Sequence, residues 1–184
     1  MPKPKWNLNT IYISERLQES LRPISRCAMT TVVAPMGYGK TTAVNWYLSE
    51  RTKAETLRII RISVYSDNLA IFWKSVQEAF ARAEFDILRD YPCPTDAAGG
   101  GLLVDDLCHA LAVETPCYLF IDDFHLLTDK RASLFLCMLT NRLPSNVGGL
   151  QSAEIGKIDV NDRYAYAAIS RTKFQRTYCN SRII

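Results

Sequence analysis

Residues 34–42 read Ala-Pro-Met-Gly-Tyr-Gly-Lys-Thr-Thr, after the apolar run Met29–Val33 and before a segment of helical character, Thr41–Glu50. An apolar strand, a short glycine-bearing loop and a helix in that order constrain the fold more than any other feature of the chain. Gly37 and Gly39 permit a tight turn, and a tight turn makes successive backbone N–H groups converge on one point. The positive end of the following helix adds its dipole there, so the loop is suited to an anion. Ala34, Gly39, Lys40 and Thr41 fill the pattern A/G-x-x-x-x-G-K-[S/T] in the strand–loop–helix setting that a phosphate site requires. Lys40 is placed to reach β- and γ-phosphates, and the Thr41 hydroxyl to ligate Mg²⁺. The competing reading is an ordinary glycine-rich turn.

A second motif lies some eighty residues on. Tyr118-Leu119-Phe120-Ile121-Asp122-Asp123 is a short apolar run ending in two carboxylates, as expected of a strand in a sheet buried on both faces. Its C-terminal end falls where α/β sheets bind ligands, beside the phosphate loop. Asp122 is then expected to hold the Mg²⁺ shell through water, and Asp123 to polarise an attacking water. Taken alone, the run could equally be a strand that stops at an Asx turn.

The bulk of the chain agrees with a soluble domain: 184 residues, 48% apolar and 22% charged, suffice for one sizeable core. No apolar run approaches a membrane span. Met1-Pro2-Lys3-Pro4-Lys5 lacks the apolar stretch of a signal peptide, so a cytoplasmic location is expected. Cys27, Cys93, Cys108, Cys117, Cys137 and Cys179 show no C-x-x-C spacing and suit free thiols. His109 and His125 have no metal-ligand spacing. Residues 1–150 carry 16 basic and 16 acidic side chains, so the net charge of +3 comes from 151–184; that tail is too sparse in charge to argue a nucleic-acid surface.

Along the chain, strands are expected at Met29–Val33, Leu57–Val64 and Cys117–Ile121. Helices are expected at 11–21 (Ser14 as N-cap), Thr41–Glu50, 69–85, Leu102–Ala112 and Lys130–Arg142, the last closed by Pro144. Phe72, Val76, Ala79, Phe80 and Ala83 form a core-facing stripe. Tyr91–Pro94 and Gly99-Gly100-Gly101 read as a flexible connection. Alternating strands and helices predict an α/β fold: a three-layer αβα P-loop NTPase with a largely parallel sheet.

Together, Ala34–Thr42, the Asp122–Leu127 segment Asp-Asp-Phe-His-Leu-Leu and the Asn141–Val147 segment resemble the N-terminal ATPase domain of MalT-type LuxR transcriptional regulators. These belong to the STAND class of P-loop NTPases. Arg61-Ile62-Ser63, Ser66-Asp67-Asn68, Phe72-Trp73 and the lead Glu15-Arg16-Leu17 fit the same pattern, and the resemblance covers roughly residues 10–147. It implies an ATP-driven switch, inactive with ADP, able to self-associate with ATP and an inducer, and coupled to a C-terminal helix-turn-helix DNA-binding domain. Carried over, Gly37, Tyr38, Gly39, Lys40, Thr41 and Thr42 contact the nucleotide, Thr41 and Asp122 the Mg²⁺. Asp122 and Asp123 are the Walker B pair, Asp123 the catalytic acid. Ile11, Tyr12 and Ile13 lie near the adenine.

After Val147 the chain departs from that family, whose next element is an apolar central strand ending in Ser-Arg, the Arg sensing the γ-phosphate. Gly148–Glu154 has too little apolar content for a buried strand, which predicts a sheet incomplete at its C-terminal end. Either Tyr164–Ile169 with Ser170-Arg171 is that strand, displaced by an insertion, or the last thirty-odd residues are foreign to the fold. The expected division is a partial NTPase domain at 1–147 and a divergent tail at 148–184. No helix-turn-helix follows, so DNA binding belongs to a C-terminal domain outside this chain. Three readings stand: an ATP-binding regulatory switch with at most slow ATPase activity, an inert truncated fragment, and a P-loop phosphotransferase.

Overall fold

A computed structural model describes residues 12–26, 29–94, 96–112, 115–154 and 178–182. Five strands are β1 (Met29–Ala34), β2 (Arg58–Ser63), β3 (Cys117–Asp122), β4 (Val147–Glu154) and β5 (Tyr178–Arg182). They form one sheet in the order β2-β3-β4-β1-β5, and every neighbouring pair is parallel. The helices are α1 (Glu15–Leu21), α2 (Lys40–Ala54), α3 (Leu69–Arg82), α4 (Ala97–Leu111) and α5 (Lys130–Arg142). The α/β, αβα expectation is met. None of these helices is long and apolar enough to cross a membrane.

The core divides along the two faces of the sheet. Leu21, Val32, Val44, Leu48, Phe120 and Leu150 join α1 and α2 to one face. Ile60, Ile62, Phe80, Leu107, Leu119 and Leu139 join α3, α4 and α5 to the other. All of β3 is buried, as its apolar run predicts for a strand with partners on both sides. Side-chain caps start the helices where the sequence places short polar residues. Ser14 accepts from the Leu17 N–H, Asn68 from Ala70 and Ile71, Asp96 from Gly99 and Asp129 from Arg131. Each such cap is worth about 1 kcal/mol.

Two sequence expectations fail. Gly99-Gly100-Gly101 is not a flexible connection but the first turns of α4, started by Asp96. A Cβ on Gly100 would lie 2.8 Å from Met138 Cε of α5, so the missing side chain lets the two helices approach closely. The larger correction is Gly148–Glu154. This segment is the body of β4, paired with β1 on one side and β3 on the other, and it occupies the central position expected to be vacant. The sheet therefore runs through the boundary expected at 147/148. Tyr164–Ile169 and Arg171 lie outside the described residues.

The reason for that second failure is where the bulk comes from. Tyr118 of β3 sits directly across from Gly148, and a Cβ there would lie 2.9 Å from two of its ring carbons. The neighbour's ring covers what β4 itself does not. Leu150 supplies an apolar core contact, and Ser152 is buried but hydrogen-bonded. Gly148→Val is accordingly expected to cost about 1–3 kcal/mol by overpacking a ring that cannot step aside cheaply. Gly100→Ala, whose one close neighbour is the flexible end of Met138, with Pro94 at ordinary contact distance, is expected near neutral, since the helix propensity gained offsets the push. Urea denaturation of both variants checks the contrast; equal losses would refute it.

Candidate nucleotide-binding site

β1 ends at Ala34, and the loop turns through Gly37 (φ +80°) and Gly39 (φ +72°) before α2 starts at Lys40. Both φ values lie in the left-handed region that glycine enters without strain. A Cβ at Gly37 would meet nothing within 4 Å, so backbone conformation rather than crowding selects glycine there. Gly39 is the residue before the helix and offers no side-chain cap, which leaves the first N–H groups of α2 for an outside acceptor.

Lys40 folds back over the loop, its Nζ donating to Ala34 O at 2.9 Å and Pro35 O at 3.1 Å. Thr41 Oγ1 donates to Asp122 Oδ1 at 2.9 Å, across 81 residues of sequence. The structure thus brings together Gly37, Gly39, Lys40, Thr41 and Asp122 at the C-terminal ends of β1 and β3. Tyr38 stands exposed on the loop, and Thr42 is exposed in the first turn of α2. Asp123 follows Asp122 in the left-handed region at φ +56°. Of the residues expected near the adenine, Ile11 lies outside the described residues, Tyr12 is exposed and Ile13 is buried.

Three residues to which the sequence assigned no role in the site complete the cluster. Ser152 of β4, fully buried, donates to Asp122 Oδ1 at 2.7 Å and accepts the Asp123 N–H at 3.0 Å. Arg61 of β2 donates from Nη2 to Asp122 Oδ2 at 2.9 Å and from Nη1 to Asn45 Oδ1 of α2 at 3.0 Å. A charged residue inside the apolar run Ile59-Ile60-Arg61-Ile62 was the available signal for Arg61. For Ser152 the signal was a hydroxyl near the end of a strand, legible only once β4 is known to be one.

The donor set fits a nucleotide and its Mg²⁺. A lysine, an uncapped helix N-terminus and a glycine loop adjoin one another, and the hydroxyl that would ligate the cation rests on a buried carboxylate. None of the described residues in this cluster is a cysteine. Cys93, Cys117 and Cys137 carry free thiols, and burial pushes the Cys117 thiol up to about 12, so it stays protonated at neutral pH.

The fold is similar to that of several solved structures. Cdc6p from Pyrobaculum aerophilum superposes with a TM-score of 0.57 at 15% identity, over 97% of this chain and 48% of that one. The structure of Drosophila ORC bound to DNA gives 0.54 at 14%, over 91% and 87%. The ORC2 protein of Aeropyrum pernix, in ADPNP and ADP complexes, gives 0.51 at 16%, over 96% and 50%. The chain spans about half the length of the first and third. No relative was found among curated protein sequences. The AAA domain family matches residues 22–163, taking in the phosphate loop, the paired acids and β4. The chain belongs to the AAA domain family of P-loop ATPases.

Proposed function

We propose that this chain is a nucleotide-dependent switch domain, binding ATP or ADP with Mg²⁺ and hydrolysing ATP slowly. The observation that carries the reading is the Thr41–Asp122 hydrogen bond, which sets the metal-binding hydroxyl of the phosphate loop against the buried acid of β3. In this role Lys40 leaves its backbone carbonyls for the β- and γ-phosphates, while the N–H groups of 37–42 surround the phosphate oxygens. Mg²⁺ held by Thr41, with Asp122 behind it, would offset phosphate charge. Asp123 orients the attacking water, and Ser152 fixes both acids relative to the loop.

The motifs at Ala34–Thr42, Asp122–Leu127 and Asn141–Val147 support a MalT-type regulator as the parent protein, with self-association as the output and DNA engaged through another domain. A second reading, a replication-initiation type of ATPase, is favoured by the likeness to ORC bound to DNA over most of both chains. Either parent uses the same ATP site.

Slow turnover follows from β4. Val147–Glu154 contains no arginine to stabilise charge developing on the γ-phosphate, and such a group contributes on the order of a thousandfold. Steady-state hydrolysis is expected well below about 1 s⁻¹, the low end of the ordinary enzyme range. Asp123→Asn is expected to remove the residual hydrolysis and leave binding intact. Turnover above that rate, or transfer of phosphate to a small acceptor, would replace the switch with an enzyme.

A further inference from the structure

Arg61 has a role that the phosphate-loop motifs do not supply. Its guanidinium lies over the Phe120 ring, 5.4 Å from the centroid, and bridges Asn45 of α2 to Asp122 Oδ2. The Asp122 side chain is 6% exposed and that of Arg61 40%. Thr41 and Ser152 already donate to Oδ1, so Arg61 takes the other oxygen and the carboxylate has a partner on each. The charge balance matters more than the count. The buried Asp122 carboxylate and the half-buried Arg61 guanidinium sum to zero at the point where a divalent cation would draw on a negative charge.

We propose that Arg61 is a built-in counter-cation of the Asp122 carboxylate, so that the site holds nucleotide with little dependence on Mg²⁺ and the guanidinium sets its metal affinity. This rests on the ATP-site reading above and deepens it. Arg61 is a positioning residue: it acts on the metal through Asp122. A cation within about 4–6 Å of a carboxylate lowers its affinity for a proton by about one to three powers of ten, and acts in the same direction on its affinity for a metal ion. Arg61 therefore disfavours the cation while holding Asp122 in place. Asn45 and Phe120 keep the guanidinium from swinging away, since they fix its second nitrogen and its face.

The test is ATP affinity measured with excess Mg²⁺ and again with excess EDTA, for the wild type, Arg61→Gln, Arg61→Met and Arg61→Lys. The readout is the ratio of the two affinities. The wild type is expected to show a small ratio. Arg61→Gln and Arg61→Met are expected to raise it about tenfold or more. Arg61→Lys keeps the charge but loses the bridge to Asn45 and the stack on Phe120, and is expected to fall between the wild type and the neutral variants. Two neutral replacements of different polarity are used so that a folding defect in one leaves the other to decide. Unchanged ratios in the neutral variants, or a rise in the lysine variant equal to theirs, would overturn the role of Arg61. Absence of ATP binding in every protein under both conditions would instead overturn the ATP site and this inference with it.

Discussion

A chain ending at Asn146 is expected to lose its cooperative folding transition. That cut removes β4, which pairs with β1 from Met29 to Ala34 and with β3 from Cys117 to Ile121. Without it two sheet edges open in the middle of the domain, and the faces over Leu150 and Val147 lose their cover. Domains of this size hold only about 5–15 kcal/mol in total, less than the loss of a central strand costs. A chain ending at Glu154 keeps the order β2-β3-β4-β1 and, of the described elements, loses the outer strand β5, so it is expected to melt cooperatively at a lower temperature. Thermal melts by circular dichroism separate the two. A cooperative melt for the shorter chain would mean that β4 is dispensable.

Lys40→Ala is expected to abolish useful nucleotide affinity with the fold intact. The ammonium donates to two backbone carbonyls of the loop, and these can turn to water when it is removed. The phosphates lose their one side-chain cation on the loop. Truncating one partner of a close charge pair costs about 2–5 kcal/mol, a loss of between about thirtyfold and several thousandfold in affinity. An unchanged melting temperature without ligand, together with loss of the shift produced by ATP, is the expected signature.

What could be read from the sequence was local. The phosphate loop, the acids closing β3, the cap Ser14 and the stripe on α3 each lie within a few residues, and their physics is complete at that range. What could not be read depends on partners far along the chain. β4 looked too polar and too small because its cover comes from Tyr118 and its polar atoms are satisfied by Asp122 and Asp123. The first turns of α4, ahead of the helix expected from Leu102, hid behind three glycines, and the demand for the middle one, Gly100, comes from Met138 on another helix. Arg61 and Ser152 reach Asp122 across 61 and 30 residues, distances at which no spacing rule operates. The central strand, and with it the residues that hold the acid in place, required the sheet to be seen.

Calorimetric titration of the full chain with ATP in the presence of Mg²⁺, run beside Lys40→Ala, tests the nucleotide site most directly. A single saturable binding event in the wild type, absent from the variant, is the expected result. Equal binding by both, or no binding by a wild-type protein that melts cooperatively, would contradict the assignment of Ala34–Thr42 and Asp122 as a nucleotide site.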